Sequence, residues 1–136
     1  MRVLLKDYGI EPTRAHSTDA GLDLYAPYDF KIGAHGYRKI NTGVCVFLPH
    51  NTVGYIRSKS GLMLRCGILT DGTIDEGYTG EIGVVLFNTG RQSAYFKRGD
   101  KIAQLVVQPV LYPELTIVHQ LPNTPRGMNG FGSTGK

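Results

Sequence analysis

Apolar positions in this chain gather in short stretches separated by turn-forming residues. β-Branched and aromatic residues concentrate at residues 22–26, 44–48, 53–57, 82–87, 102–107 and 115–118, which reads as a series of strands. Between them stand clusters such as Pro49-His-Asn51, Asn88-Thr-Gly90 and Lys97-Arg-Gly-Asp100, residue types that satisfy or preset the backbone of tight turns. No window sustains a helical apolar period for three turns. The best helical stretch is Ser60-Gly-Leu-Met-Leu-Arg65, where Ser60 is placed to cap a short turn whose backbone N–H groups would face an anion. The pattern predicts an all-β fold, a sandwich or barrel.

Composition bounds this picture. At 136 residues, 41% apolar and 19% charged, the chain is one domain's worth of ordinary globular sequence, able to bury roughly two thirds of its unfolded surface. The apolar runs 82–87 and 102–107 are too short to cross a bilayer, and Met1-Arg-Val-Leu-Leu-Lys6 lacks the apolar stretch of a signal peptide, so no membrane association is expected. An intracellular, cytoplasmic setting is expected, in the host cytoplasm or nucleus if the source is viral. Cys45 and Cys66 lie in apolar settings without CxxC or clustered His spacing, and read as buried thiols rather than a disulfide or zinc site. The formal charge of +4 suits either nucleic acid or a small polyanion. The basic residues are scattered and no recognition helix is visible, so nucleic acid is not the expected partner.

The tail differs in kind from what precedes it. Residues 121–136 hold four glycines and two prolines, too little apolar surface to order a segment. They read as a flexible Gly-rich C-terminal arm beside a β domain of residues 1–120. Extended, the arm could reach on the order of 50 Å, enough to cross a subunit boundary. Its glycines let backbone amides approach phosphate, Arg126 offers a planar cation, and Ser133 and Thr134 offer hydroxyls. Phe131 suits a lid that stacks on a base; a frayed terminus is the alternative reading of this segment alone.

Four further segments carry candidate chemistry. In Gly72-Thr-Ile-Asp-Glu-Gly-Tyr-Thr-Gly-Glu81, a hairpin would present Asp75 and Tyr78 near its tip, with Asp75 able to orient a water. If Glu76 faced the same pocket, its charge would push the Asp75 carboxyl up; a turn aspartate bonding its own backbone is the plainer reading. Arg57-Ser-Lys-Ser-Gly-Leu62 combines cations, hydroxyls and a glycine. Gln104, inside Ile-Ala-Gln-Leu-Val-Val, is costly to bury without a hydrogen-bond partner, and a ligand is one such partner. Arg98 and Asp100 read as a surface ion pair at a turn. Asp19 and Asp23, four apart, would share one face of a strand, as suits a hydrated magnesium held through carboxylate and phosphate oxygens.

Taken together and in order, DAGLDLYA (19–26), RSKSGL (57–62), GTIDEGYTGEI (72–82), RGDKIAQL (98–105) and RGMNGFGSTG (126–135) resemble the five ordered motifs of the trimeric dUTP pyrophosphatases (dUTPases). The resemblance implies a β-clip-like jelly roll or distorted barrel, and a homotrimer whose active sites are shared between subunits. It implies hydrolysis of dUTP to dUMP and pyrophosphate with Mg2+, which limits uracil incorporation into DNA and supplies dUMP for dTMP synthesis. By that pattern Asp75 is the general base toward water at the α-phosphorus, Tyr78 packs under deoxyribose, and the backbone from Gly72 through Thr73 and Ile74 reads uracil. Phosphates fall to the second motif (Arg57, Ser58, Lys59, Ser60, Gly61) and to Gln104, and Asp23 supports the metal through water. Arg126, Phe131, Gly132, Ser133 and Thr134 close a third subunit's arm over triphosphate and base. Two departures stand out: Lys59 precedes Ser60 where the family commonly has arginine, so either Arg57 or Lys59 serves, and residues 62–72 form a shorter stretch than in many members. A dCTP deaminase shares the superfamily fold, but Glu11, Glu76, Glu81 and Glu114 include no persuasive proton shuttle at the base. A regulatory protein that keeps the nucleotide pocket as a switch is a rival of another class, and the intact Asp75 to Tyr78 set favours catalysis.

Overall fold

Alternating apolar residues form ten strands within residues 1–130, the part of the chain that the structure, a computed structural model, describes. In chain order these are β1 (Arg2–Leu5), β2 (Gly21–Tyr25), β3 (Phe30–Ile32), β4 (Tyr37–Phe47), β5 (Thr52–Arg57), β6 (Ile68–Leu69), β7 (Asp71–Ile74), β8 (Glu81–Asn88), β9 (Ala94–Phe96) and β10 (Lys101–Pro109). One helix, α1 (Ser60–Cys66), follows β5. Two four-stranded sheets, ordered β1-β4-β8-β6 and β2-β10-β5-β7, and a ribbon of β3 with β9 make up the fold, with antiparallel pairing throughout. The all-β expectation holds, although no sheet closes into a barrel among the described residues. No helix there is long and apolar enough to cross a membrane.

The core follows from the pleat. Along β8, Ile82, Val84, Leu86 and Asn88 turn inward while Glu81, Gly83, Val85 and Phe87 turn outward. They meet Ile40, Val44 and Val46 of β4 and Leu24, Ile56, Ile102 and Leu105 of the second sheet. The polar residue among them is satisfied: the amide nitrogen of Asn88 donates to Ile32, Gly33 and Gln92 carbonyls at 3.1, 2.9 and 2.8 Å. In β10 the register shifts between Lys101 and Ala103. That bulge lets consecutive Ile102 and Ala103 both face the core.

Several local expectations are corrected. Residues 115–118 form no strand, and Leu115 and Ile117 are 95% and 99% exposed. Their β-branched composition marks surface without a partner edge in the single chain. Ser60 is the first helical residue and not the cap: Lys59 holds the N-cap position and its carbonyl receives the N–H groups of Leu62 and Met63. Left-handed Gly67 ends the helix, its N–H bonded to the Met63 carbonyl at 3.0 Å. Both thiols are free, but neither is buried: Cys45 is half-buried and Cys66 exposed.

The longest ladder, β4 with β8, breaks between Asn41 and Cys45. At the break Gly43 has φ +72°, and a Cβ there would lie 2.5 Å from the Gly9 Cα. Both the dihedral and the close approach demand glycine. Gly43→Ala is therefore expected to lower unfolding free energy by about 1–3 kcal/mol in urea titration. Gly33→Ala, whose added carbon meets nothing within 4 Å, should stay within about 0.5 kcal/mol of the parent.

Candidate active site

Pairing of β2 with β10 puts Asp23 opposite Gln104, and pairing of β10 with β5 puts Gln104 opposite Arg57. The chain then leaves β5 through Ser58 and Lys59 into α1, so the start of the helix lands beside these strands. The result is an open cleft of about 860 Å³ lined by Lys59, Ser60, Gly61, Arg65, Lys101 and Gln104 on one side and Ser93 to Phe96 on the other. Gln104 is half-buried, packs over Gly21, and donates from Nε2 to the Ser58 carbonyl at 3.2 Å. That bond answers the cost of burying an amide in an apolar strand.

Asp23 lies beneath the lining of this cleft. It is 6% exposed, and both oxygens are taken: Oδ1 by Lys59 Nζ and Oδ2 by Lys101 Nζ, the latter at 2.7 Å. Burial alone pushes its carboxyl up, but the hydrogen bonds from Lys101 and Lys59 outweigh it and hold the group below the usual 3.8. The Lys101 ammonium is held above 10.5, chiefly by its bond to Asp23. The two lysines separate the carboxylate from the open space. A cleft lined by Lys59, Lys101 and Arg65, by serine hydroxyls and by an amide, against the carboxylate of Asp100 alone, suits a polyanion. No group of three or more His, Cys, Asp or Glu side chains able to hold a metal ion occurs among the described residues. The expected metal role of Asp23 thus meets a carboxylate already neutralised by two lysines. Asp19 is no companion to it: Asp19 lies before β2 in a turn, with Oδ2 bonded to the His16 N–H at 3.0 Å.

A second cleft, of about 250 Å³, is lined by Lys39, Thr73, Ile74, Asp75, Tyr78, Glu81 and Gly83. It shares no lining residue with the first. The segment that carries it is not the paired hairpin expected from sequence. β7 pairs with β5 in one sheet, β8 pairs with β4 and β6 in the other, and residues 75–80 cross between sheets. The crossing turn is closed by the Tyr78 N–H on the Asp75 carbonyl at 3.0 Å. Asp75 is exposed. Glu76 faces away from it, its carboxylate receiving His50 Nδ1 at 2.6 Å, the Asn51 N–H at 2.9 Å and the Tyr112 hydroxyl at 2.9 Å. These bonds, His50 first, hold Glu76 below 4.5.

The remaining expected residues divide. Arg57 pairs with Asp71 at 2.6 Å and lies over the Tyr55 ring, outside the larger cleft, which leaves Lys59 as the second-motif cation in it. The Ser58 hydroxyl donates to the Thr70 carbonyl and accepts the Thr70 N–H, both at 2.8 Å, and so braces the strands. Gly72 pairs with Ile56 in the ladder and does not line the smaller cleft. Arg126 is exposed, its Nε donating to the Asn129 carbonyl at 3.2 Å. Phe131, Gly132, Ser133 and Thr134 lie outside the described residues. Arg98 and Asp100 are structural without pairing to each other: Arg98 bonds the Tyr8 and Pro27 carbonyls, and Asp100 accepts the Lys97 N–H at 2.7 Å.

Sequence reading missed Lys101, Lys39 and Glu81. Lys101 sits inside the fourth motif, and its charge beside an apolar strand was the available signal. Lys39 enters the smaller cleft because Gly83 has no side chain, a Cβ there being 2.5 Å from Lys39 Cε; nothing local to either residue foretells it.

Comparison with known proteins gives one family. The dUTPase family model matches residues 7–135. A deoxyuridine 5'-triphosphate nucleotidohydrolase of Gloeothece citriformis is 47% identical over 134 residues, covering 96% of this chain and 92% of the relative. One from Rattus norvegicus is 42% identical, covering 98% of this chain and 66% of the relative. Among solved structures, the dUTPase of Staphylococcus bacteriophage 80alpha with dUpNHpp superposes with a TM-score of 0.93 at 28% identity, covering 99% of this chain and 98% of that one. A mutant dUTPase from phage phi11 of S. aureus, described with a structural Mg(II) ion, superposes with a TM-score of 0.81 at 29% identity, covering 88% of this chain and 96% of that one.

Glu81 yields a test of these electrostatics. Burial pushes its carboxyl up, but Lys6, Tyr8 and the Gly43 N–H together hold it below 4.5. Folding therefore favours the ionised form. Its contribution is complete above the unfolded value and is lost as pH falls through the lowered folded value. Glu81→Gln should make the acid loss of stability below about pH 4.5 shallower than in the parent, read from urea midpoints at successive pH values.

Proposed function

This chain belongs to the dUTPase family, and from that premise we propose how its residues divide the hydrolysis of dUTP to dUMP and pyrophosphate. Lys59, Ser60, Gly61 and Gln104 bind the triphosphate in the larger cleft, with Lys101 as a further cation. Three phosphates carry about four negative charges, and two ammonium groups held by one buried carboxylate meet them without having to be ordered on binding. Asp23 acts through those lysines. Magnesium bound with the nucleotide would add positive charge at the phosphates, and phosphate oxygens and water would suit it as ligands.

Asp75 is the general base. It takes a proton from water as the water oxygen attacks the α-phosphorus; the bond from that phosphorus to the bridging oxygen breaks, and pyrophosphate leaves. Tyr78 supports the deoxyribose, and the backbone of Gly72, Thr73 and Ile74 reads the uracil edge. Arg126, with Phe131, Gly132, Ser133 and Thr134, closes over triphosphate and base as the arm of residues 121–136. Closure excludes water other than the nucleophile.

The observation that carries a shared site is the separation of the two clefts, which have no lining residue in common. One nucleotide is short, and its base and phosphates need both. A homotrimer that apposes the larger cleft of one protomer to the smaller cleft of the next supplies them together. Uncovered apolar side chains at Leu111, Leu115, Ile117 and Leu121 give the protomers a reason to associate, since each exposed side chain of this size forgoes roughly 1.5–3 kcal/mol of burial.

Purified protein with Mg2+ is expected to release pyrophosphate from dUTP far faster than from dTTP, dCTP or UTP. Asp75→Asn should cut kcat by about 10²–10⁴-fold while equilibrium binding of dUTP is retained. Equal rates on all four nucleotides, or full turnover by the Asp75→Asn protein, would overturn the assignment. Sharing of the site is checked by mixing: Asp75→Asn and Lys59→Ala proteins, each inactive alone, should regain activity when unfolded and refolded together. Sites contained within one protomer would stay dead in the mixture.

A further inference from the structure

Glu81 opens β8 directly after the crossing turn that carries Asp75 and Tyr78, and no step of the reaction uses it. Its side chain is 13% exposed and collects three donors: Lys6 Nζ at 2.7 Å on Oε2, and the Tyr8 hydroxyl and Gly43 N–H, each at 2.7 Å, on Oε1. The three donors come from two places. Lys6 and Tyr8 follow β1, and Gly43 is freed from the β4–β8 ladder by the bulge. The Lys6 N–H also donates to the Gly43 carbonyl at 2.8 Å, and a Cβ on Gly9 would lie 2.5 Å from the Gly43 oxygen. Residues 6–9 are thus packed onto the bulge that holds the carboxylate.

The other end of Glu81 faces the cleft. Its backbone carbonyl accepts the Tyr78 hydroxyl at 2.9 Å. Gly80 completes the arrangement: a Cβ there would stand 2.6 Å from the Tyr78 hydroxyl oxygen, so the ring lies flat across the turn backbone. A phenol anchored at its hydroxyl presents a fixed ring face to a ligand. The anchor is a main-chain oxygen, whose place is set by the side chain of the same residue.

We infer that Glu81 is a positioning residue for sugar selection: it fixes the height of Tyr78, and residues 6–9 with Gly43 belong to the apparatus that excludes a ribose 2'-hydroxyl. The inference rests on reading Tyr78 as the deoxyribose platform. A closed three-donor network on a mostly buried carboxylate has two discrete states, intact or broken, because an unpaired carboxylate there is expensive. Loss of one donor lets the carbonyl, and with it the ring, move by the fraction of an ångström that separates fit from clash.

The test compares kcat/KM for dUTP and for UTP in Glu81→Gln, Tyr8→Phe, Lys6→Met and Lys6→Arg proteins, with sedimentation and thermal melting on each. Glu81→Gln, Tyr8→Phe and Lys6→Met are expected to lower the dUTP:UTP ratio by about 10-fold or more, mainly through faster turnover of UTP, and Lys6→Arg to keep the parental ratio. Lower melting temperatures with an unchanged ratio in all variants would make the network scaffold only and overturn the inference. Tyr8→Phe keeps the ring and removes one donor, so it decides the matter if Glu81→Gln does not fold. Failure of the underlying reading looks different: Tyr78→Ala would then leave the parental ratio intact.

Discussion

A carboxylate withdrawn from water must be met by donors, and this fold is organised around two that are. Asp23 sits under the larger cleft with two lysines on its oxygens, and Glu81 sits at the foot of the smaller one with Lys6, Tyr8 and the Gly43 N–H on its own. Neither set of donors is local. Asp23 draws on the end of β5 and the start of β10; Glu81 draws on the first residues of the chain and on a bulge in β4. An unpaired charge in either place costs several kcal/mol, so each network holds distant segments in register. The apolar core stabilises the sheets without dictating which loop meets which, and the two carboxylates supply that specification at the rims where ligands are handled.

Strand order accounts for the separation of the two clefts. β7 and β8 are joined by six residues but belong to different sheets. The turn that carries Asp75 and Tyr78 therefore bridges one edge of the molecule, whereas the residues proposed to bind phosphate lie elsewhere, on β10 and just after β5. A paired hairpin would have committed its backbone N–H and C=O groups to a ladder. A crossing turn closed by one bond from Tyr78 to Asp75 leaves main-chain groups for a base edge. That suits the proposed role, and it makes completion of the site a matter of association between protomers.

How much of this was legible in the chain depends on the range of the interaction. Runs of β-branched and aromatic residues identified five of the ten strands, of which β8 buries every second residue as the pleat requires. The short strands β1, β3, β6, β7 and β9 went unseen because two to four residues cannot display a period. Residues 115–118 failed in the opposite sense, apolar enough for a strand but without a neighbouring edge in this chain. The five motifs singled out Asp75, Tyr78, Lys59 and Gln104, and all four line one or other of the two clefts. They could not separate Arg57 from Lys59, a distinction made by Asp71 and Tyr55 taking the arginine. They were silent on Glu81, whose partners lie 38 or more positions away.

Division of the site also solves an electrostatic problem. A general base must keep a free, ionised oxygen, and a triphosphate site must be rich in cations. Placed 4 Å apart in one rigid cleft, a carboxylate and an ammonium attract by about 4 kcal/mol at an effective dielectric near 20, and Asp75 would become a salt bridge instead of a base. Asp23 shows this outcome, neutralised by the lysines beside it. In the proposed assembly the Lys59 and Lys101 ammonium groups meet Asp75 only across a protomer boundary, with the triphosphate between them. Its roughly four negative charges take up Lys59 and Lys101, so the nucleotide itself shields Asp75 from capture. The substrate is then both reactant and insulator.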